Sequence, residues 1–274
     1  MKPQFFVPLM TYPDQTSEVL ISNAIDLARN YGATLHAAAI DVTIPPITDP
    51  FAPLLIDTGK MVMEAERASR LRGEHLVSVL QNQCAETNLT VESETLSVHQ
   101  PDATDLAARI ARHYDVTLLQ SSPQFEALSQ AVIFGSGRPV ILYPDRPFTG
   151  RIDHIAIAWD GSRAAARALG DAALFLAAAS KVSIIYVLGE KSIDQDPGKR
   201  IFDCLAARDV KTEAYPIRIH EQPIGDALQI KAVEIRADLL IMGGYGHSRM
   251  REFILGGATA DVLGNPLLPV LMSH

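Results

Sequence analysis

Residues 237–259 read ADLLIMGGYGHSRMREFILGGAT, and this stretch decides how the second half of the chain folds. It opens with Asp238 and an unbroken apolar run over 239–242, which is typical of a parallel strand buried on both faces. Three glycines follow at Gly243, Gly244 and Gly246. Glycine permits tight turns and a close approach of the backbone to a ligand. The stretch therefore predicts a buried strand that ends in a glycine turn.

A second glycine pair, Gly256 and Gly257, precedes a short helical segment over 258–263. Free amide groups and the positive dipole end at a helix start favour a phosphate. The residues between the two glycine clusters are amphipathic at helical spacing, so the clusters can fold back toward one another. This arrangement predicts a phosphate cradle, although the same glycines could serve only as turns between strand and helix.

The spacing Gly243-x2-Gly246-x9-Gly256 resembles the nucleotide-binding loop of the universal stress protein (UspA) family, in its ATP-binding branch. The family usually has Ser or Thr directly after the last glycine, where this chain has Gly257; Thr259 could offer a hydroxyl instead. The resemblance implies ATP, with or without Mg²⁺, as the cofactor. The binding residues that it implies are Trp159, Asp160, Val187, Met242, Gly243, Gly246, Gly256, Gly257, Ala258 and Thr259.

Composition limits the classes of partner. The chain has 274 residues, 47% of them apolar, which suits one large or two medium domains. A formal charge of −8 without a run of basic residues argues against nucleic acid. No apolar run reaches membrane-spanning length and the start does not resemble a signal peptide, so we expect no membrane partner and a cytoplasmic location. Cys84 and Cys204 lack metal-ligand spacing and are expected to be reduced thiols.

The two halves of the chain read as a repeat. Gln100-Pro101 precedes Asp115 much as Gln222-Pro223 precedes Asp238. The strand patterns at 139–142 and 269–272 also correspond, but the interval before the first is seven residues shorter, where the second half carries its glycine loop. We therefore expect residues 1–148 to form a degenerate domain without this loop, and residues 151–274 to form the nucleotide-binding domain.

Strands and helices alternate in both halves, which favours parallel sheets with right-handed crossovers. Together with the resemblance, this predicts an α/β fold of two tandem Rossmann-like domains, each a five-stranded, mainly parallel sheet with helices on both faces. A ligand would lie beyond the carboxyl ends of the strands, where strand order reverses. The family resemblance further implies that the halves pair through their last strands as an intramolecular pseudo-dimer, and a homodimer of chains is possible.

Each residue at the predicted site also has an ordinary structural interpretation. Asp160 could accept from ribose or adenine, or could cap the helix that follows it. Val187 could contact adenine or belong to the core, and Trp159 could line the base pocket or crowd it. His247, Arg249 and Arg251 could reach phosphate or form a charged helix surface. In the first half, Asp14 is predicted to occupy the position that Asp160 has in the second, and without a glycine loop it is expected to serve in a turn or cap.

The predicted function is a nucleotide-binding module that acts in stress response as a sensor or regulator. Two alternatives stay open: a nucleotidyl-transfer enzyme of a related α/β group, and an interaction module that binds no nucleotide. The sequence indicates no catalytic residue and no metal site, and it carries neither a Walker lysine nor a His-x-x-His phosphate signature. Hydrolysis of bound ATP is therefore expected to be slow or absent.

Overall fold

The computed structural model describes residues 1–45, 58–188, 197–207, 210–219, 222–244 and 257–274. The first half contains β1 (Gln4–Met10), α1 (Glu18–Asn30), β2 (Thr34–Thr43), α2 (Thr58–Thr87), β3 (Val91–His99), α3 (Ala103–Ala111), β4 (Val116–Gln120), α4 (Glu126–Gly135) and β5 (Val140–Tyr143). The second half contains β6 (His154–Ala158), α5 (Arg163–Asp171), α6 (Ala173–Ala178), β7 (Lys181–Val187), α7 (Pro197–Ala206), β8 (Lys211–Ile217), α8 (Ile224–Glu234), β9 (Leu239–Gly243), α9 (Gly257–Gly264) and β10 (Val270–Ser273).

The strands form one ten-stranded sheet in the order β3-β2-β1-β4-β5-β10-β9-β6-β7-β8. Within each half every pairing is parallel, and the strand order reverses beside β1 in the first half and beside β6 in the second. Helices contribute buried apolar residues to the core on both faces, as the buried apolar runs of β4 and β9 require. The expected α/β fold with two tandem Rossmann-like halves is confirmed.

The halves join through their last strands. β10 pairs with β5 in antiparallel register, with Leu271 opposite Ile141. The pairing that the sequence predicts for these two strands is therefore present, and it covers two apolar strand edges that would otherwise be exposed.

Equivalent backbone hydrogen bonds relate the two halves residue by residue. Asp115 N donates to Gln4 O at 2.9 Å, and Asp238 N donates to His154 O at 2.8 Å. Counting along the strands from these bonds makes Met10 the counterpart of Asp160. Asp14 lies four residues beyond the end of β1, so the expectation that it occupies the position of Asp160 is wrong. Asp14 is exposed in a bend, and the helix cap there is Ser17, whose Oγ accepts from Val19 N at 3.2 Å.

One predicted helix is divided. The sequence favours a single helix over 162–179, but α5 and α6 meet at Ala172, whose φ and ψ are −83° and 7°. The local signal for this break is Gly170, which lowers helix propensity two residues before it. The break accompanies a long-range contact: Phe175 of α6 is fully buried, with its ring 6.3 Å from that of Phe5 and 4.9 Å from that of Tyr31. The break thus accompanies the packing of an aromatic anchor from the second half into the first.

The core continues across both halves on each face of the sheet. One buried cluster includes Phe5, Leu118, Ile157 and Phe175, and the other includes Phe6, Val140 and Met272. Cys84 is buried and Cys204 exposed, and neither forms a disulfide. Among the residues that the structure describes, no helix has the length and apolar character needed to cross a bilayer.

Candidate functional site

The candidate site lies where β6 is flanked by β7 and β9. The carboxyl ends of these parallel strands are Ala158, Val187 and Gly243. Strand order reverses at β6, and in open α/β sheets ligands bind in the crevice outside such a switch point. The structure therefore brings together the three strand ends that the sequence assigns to the site.

The segment after β6 forms a tight turn. Asp160 is exposed, and its Oδ1 accepts from Ser162 N at 2.8 Å. Gly161 between them has φ of +73°, a value that L side chains rarely adopt. Ser162 is the helix cap, because its Oγ accepts from Ala165 N at 3.1 Å. The interpretation of Asp160 as the cap of α5 is thus wrong, and its carboxylate instead stabilises the turn at the mouth of the crevice.

Trp159 and Val187 are both half-buried at this edge. Trp159 N donates to Ile185 O at 2.8 Å, which holds the backbone of Trp159 beside β7, and its side chain packs against the core. Val187 pairs with Ile217 of β8 and packs against the core. Each side chain therefore contributes to packing and also has surface left at the strand ends.

Gly243 is required by the protein itself. A Cβ at this position would lie 2.4 Å from Ala165 N and 2.5 Å from the carbonyl carbon of Ala164, so the first turn of α5 fills the space beside it. Gly244 continues the sheet, with its N donating to Ser273 O at 2.8 Å. Met242 is 4% exposed, so its side chain belongs to the core. At Gly243 the architectural interpretation of the glycine holds.

The start of α9 has the opposite character. Gly257 is exposed, and a Cβ there would have no atom of the described residues within 4 Å, whereas Thr259 is 3% exposed. The first amides of a helix have no partner within the helix and can bind an anion. The first-turn amides of Gly257 and Ala258 are therefore of the kind that a phosphate requires.

Two residues that the sequence analysis did not identify hold α9 in place. Gly225 N at the start of α8 donates to Asp261 Oδ2 at 3.1 Å. A Cβ on Gly225 would lie 2.6 Å from Ala258 O, so the two helix starts are in close contact. Because α8 follows β8, this contact places the start of α9 at the carboxyl edge of the sheet. No local pattern identifies this pair, since its members are distant in sequence.

The remaining glycines of the predicted cradle, Gly246 and Gly256, lie outside the described residues, as do His247, Arg249, Arg251 and Glu252. Within the described ranges, no group of three or more His, Cys, Asp or Glu residues could hold a metal ion.

The corresponding crevice of the first half is filled by α2. Ser69 is fully buried, and its Oγ accepts from Val42 N at 2.9 Å and bonds Thr11 Oγ1 at 2.6 Å. Arg72 Nη1 donates to Thr11 O at 3.0 Å.

The next residue of α2, Gly73, packs against β2. A Cβ there would lie 2.5 Å from Asp41 Oδ1, and burial raises the pKa of the Asp41 carboxyl. The helix therefore lies directly over the carboxyl ends of β1 and β2, where a nucleotide would need space.

In the comparison with known proteins, the family match lies in the second half of the chain. The model of the universal stress protein family matches residues 151–274. Universal stress protein Slr1230 of Synechocystis sp. is 28% identical over 147 residues, which are 52% of this chain and 49% of that protein. The match thus spans about half the length of that relative.

Two solved structures cover nearly the whole chain. A universal stress protein from Archaeoglobus fulgidus DSM 4304 has a TM-score of 0.72 and 16% identity, covering 98% of this chain and 95% of its own. A protein of unknown function from Pseudomonas aeruginosa PAO1, PA1789, has a TM-score of 0.56 and 14% identity, with coverage of 98% and 92%. At these identities the likeness establishes the common fold.

Proposed function

Because the chain belongs to the universal stress protein family through residues 151–274, we propose that its second half binds one adenine nucleotide, ATP. Occupancy then alters the shape of the protein or its choice of partner, which makes it a sensor or regulator in a stress response. The first half serves as a structural partner without a nucleotide of its own.

The observation that carries this proposal is the open start of α9 at the carboxyl edge of the sheet. Among the described residues, Gly257 has space around it, and the amides of the first turn can hold phosphate. Asp160 and Trp159 follow the end of β6, where the ribose and base would be bound, and Val187 ends the neighbouring strand β7. Mg²⁺, if it accompanies ATP, would be held mainly by the phosphates.

The filled crevice of the first half supports a single site per chain. There α2 places Ser69 and Arg72 in hydrogen bonds to Thr11, above the ends of the strands. In the second half the corresponding crossover helix α7 spans only Pro197–Ala206, against Thr58–Thr87 for α2. The asymmetry between these two helices supports binding in one half only.

A protein that binds no nucleotide is the second candidate, and Gly243 favours it. This glycine is explained entirely by the first turn of α5, which it contacts without any ligand. If the other glycines of the loop have similar roles, the chain is an interaction module whose glycines are architectural.

A fluorescence titration separates these two candidates, because Trp159 is the sole tryptophan of the chain and lies at the site. ATP with Mg²⁺ is added to the wild type, to Gly257→Val and to the matched control Gly264→Val. A Cβ has open space at both glycines, which lie at opposite ends of α9. We expect saturable binding to the wild type and to Gly264→Val, and at least about a tenfold loss for Gly257→Val, because a branched side chain blocks the helix start. Equal binding by both variants, or none by the wild type, would favour the interaction module.

A further inference from the structure

The segment that connects the two halves, residues 144–151, lies in a cleft between them. We call this the linker cleft. The side-chain amide of Asn23 in α1 makes two hydrogen bonds to the main chain of this segment: Nδ2 donates to Arg146 O at 2.9 Å, and Oδ1 accepts from Phe148 N at 2.8 Å. A Cβ on Gly150 would lie 2.4 Å from the backbone of Asp26, so the segment lies directly on α1. The connection therefore fills the cleft, leaving a cavity of about 160 Å³.

The pseudo-symmetry of the halves creates a second cleft. Asp238 and Pro269 border the linker cleft, and their counterparts Asp115 and Pro139 border the second one. The equivalence is supported by backbone bonds, since Thr117 N donates to Pro139 O and Leu240 N donates to Pro269 O. Among the residues that the structure describes, no segment corresponding to the linker lies in this second cleft, whose cavity measures about 730 Å³. We call it the open cleft.

In each cleft an arginine side chain donates a hydrogen bond to the carbonyl two residues before the strand proline. In the linker cleft, Arg146 Nη2 donates to Leu267 O, two residues before the strand proline. In the open cleft, Arg167 Nη2 of α5 donates to Gly137 O at 2.9 Å, again two residues before the strand proline. The open cleft thus already contains its own counterpart of the linker arginine, and the rest of its volume stays accessible.

The lining of the open cleft is cationic, although the chain carries a net charge of −8. Lys2, Arg138 and Arg167 line it, together with the imidazole of His113. Of its two carboxylates, Asp115 accepts from Gln4 N at 2.9 Å through Oδ2, and Asp171 Oδ2, which has no hydrogen bond, lies 3.5 Å from Arg167 Nε in an ion pair. Arg138 uses its Nε to donate to Arg112 O at 3.2 Å, and its Nη groups have no partner among the described residues. The cleft therefore offers donors that match an anion.

We propose that the open cleft binds a small, multiply charged anion that carries phosphate. Its volume falls in the range of small-molecule pockets, about 300–1,000 Å³. Guanidinium groups match phosphate oxygens bidentately, and the Arg138 fork is available for this. A peptide is the less suitable occupant, because the linker cleft binds main chain through the amide of Asn23, whereas the open cleft presents cations. This site is distinct from the nucleotide site proposed above and does not depend on it.

The test uses the full chain and inorganic pyrophosphate as the probe, titrated by calorimetry at low salt without Mg²⁺. The variants are Arg138→Gln and the double variant His113→Gln/Arg138→Gln. The matched control is Arg29→Gln, which removes an arginine from the exposed surface of α1 that lines neither cleft. Gly257→Val is included because pyrophosphate could also bind at the start of α9.

We expect wild-type protein and Arg29→Gln to bind pyrophosphate equally, and Gly257→Val to retain the binding step that Arg138→Gln weakens. Arg138→Gln should bind about tenfold more weakly, since it removes a charge-assisted hydrogen bond, and the double variant more weakly still, since it also removes an imidazole donor. If the variants have the same thermal unfolding temperature as the wild type, the loss of pyrophosphate binding is a local effect. The proposal is overturned if the wild type binds no pyrophosphate, if Arg138→Gln binds as the wild type does, or if Gly257→Val alone abolishes binding.

Discussion

Replacing Gly243 by alanine tests whether this glycine serves the fold and not a ligand. The added Cβ would lie 2.4 Å from Ala165 N and 2.8 Å from Ala164 Cβ, distances that require α5 or β9 to move. Overpacking of this kind costs about 1–3 kcal/mol, and the upper end applies because the closest contacts are with backbone. The lower entropy of the unfolded alanine chain offsets about 0.4–1 kcal/mol. We therefore expect a net loss of about 2 kcal/mol in the free energy of unfolding, without nucleotide present.

The assay is urea unfolding followed by the fluorescence of Trp159, which reports on the second half. Gly257→Ala is the matched control, because a Cβ at that glycine has no atom within 4 Å. Its free energy of unfolding should stay within about 0.5 kcal/mol of the wild type. If Gly243→Ala is as stable as this control, the close packing between β9 and α5 does not exist in solution and the architectural account of Gly243 is refuted.

Three further predictions concern the joined halves, pH and chemistry. Phe175→Ala should lower the free energy of unfolding by about 3–5 kcal/mol, because the ring is fully buried against Phe5 and Tyr31 of the other half. A decrease of less than about 1 kcal/mol, measured by urea unfolding, would contradict a core shared by the two halves. Burial, reinforced by the charge of Lys181, lowers the pKa of His154 in the folded protein, so below about pH 6.5 the unfolded chain takes up a proton on this histidine before the folded chain does, and the free energy of unfolding decreases by up to about 1.4 kcal/mol per pH unit. His154→Gln should flatten the dependence of unfolding free energy on pH between pH 7 and 5, and an unchanged slope would contradict this role of His154. Phosphate release from a single-turnover mixture with ATP and Mg²⁺ should be far slower than about one per second, because the chain has no lysine beyond Asp238 to neutralise the γ-phosphate. A rate near one per second would indicate that the protein is an enzyme.

The fold could be predicted because its signals are local. Buried parallel strands read as continuous apolar runs, and the two halves repeat these runs at corresponding intervals. The pairing of β5 with β10 followed from the family resemblance, and apolar residues at both strands are consistent with it. These features depend on short stretches of sequence, where side-chain pattern and backbone geometry agree.

The roles of individual residues at the site were less predictable because they depend on distant contacts. Gly243 reads as part of a ligand loop, yet its nearest neighbours are Ala164 and Ala165. The sequence suggests Asp160 as a cap of α5, and only the geometry of the turn assigns the cap to Ser162. The contact of Gly225 with Asp261 joins two helices that follow different strands. Such contacts depend on tertiary packing between elements that are distant in the sequence.

Two larger features were also absent from the sequence reasoning. The long helix α2 was predicted, but its position over the ends of β1 and β2 follows from hydrogen bonds of Ser69 and Arg72 that no periodic pattern indicates. The open cleft arises because a single linker can fill only one of two pseudo-symmetric positions. A feature of this kind is visible only when both halves are placed together.

The central claim is that one nucleotide binds per chain, in the second half. Calorimetric titration of the nucleotide-free, full-length Arg138→Gln variant, in which the open cleft is weakened, with ATP and Mg²⁺ tests it most directly, because the fitted stoichiometry counts the remaining sites without assuming where they lie. The account predicts one site per chain, since α2 fills the crevice of the first half and the start of α9 is open in the second. Two equivalent sites would contradict the role assigned to α2, and the absence of binding would contradict the nucleotide site itself.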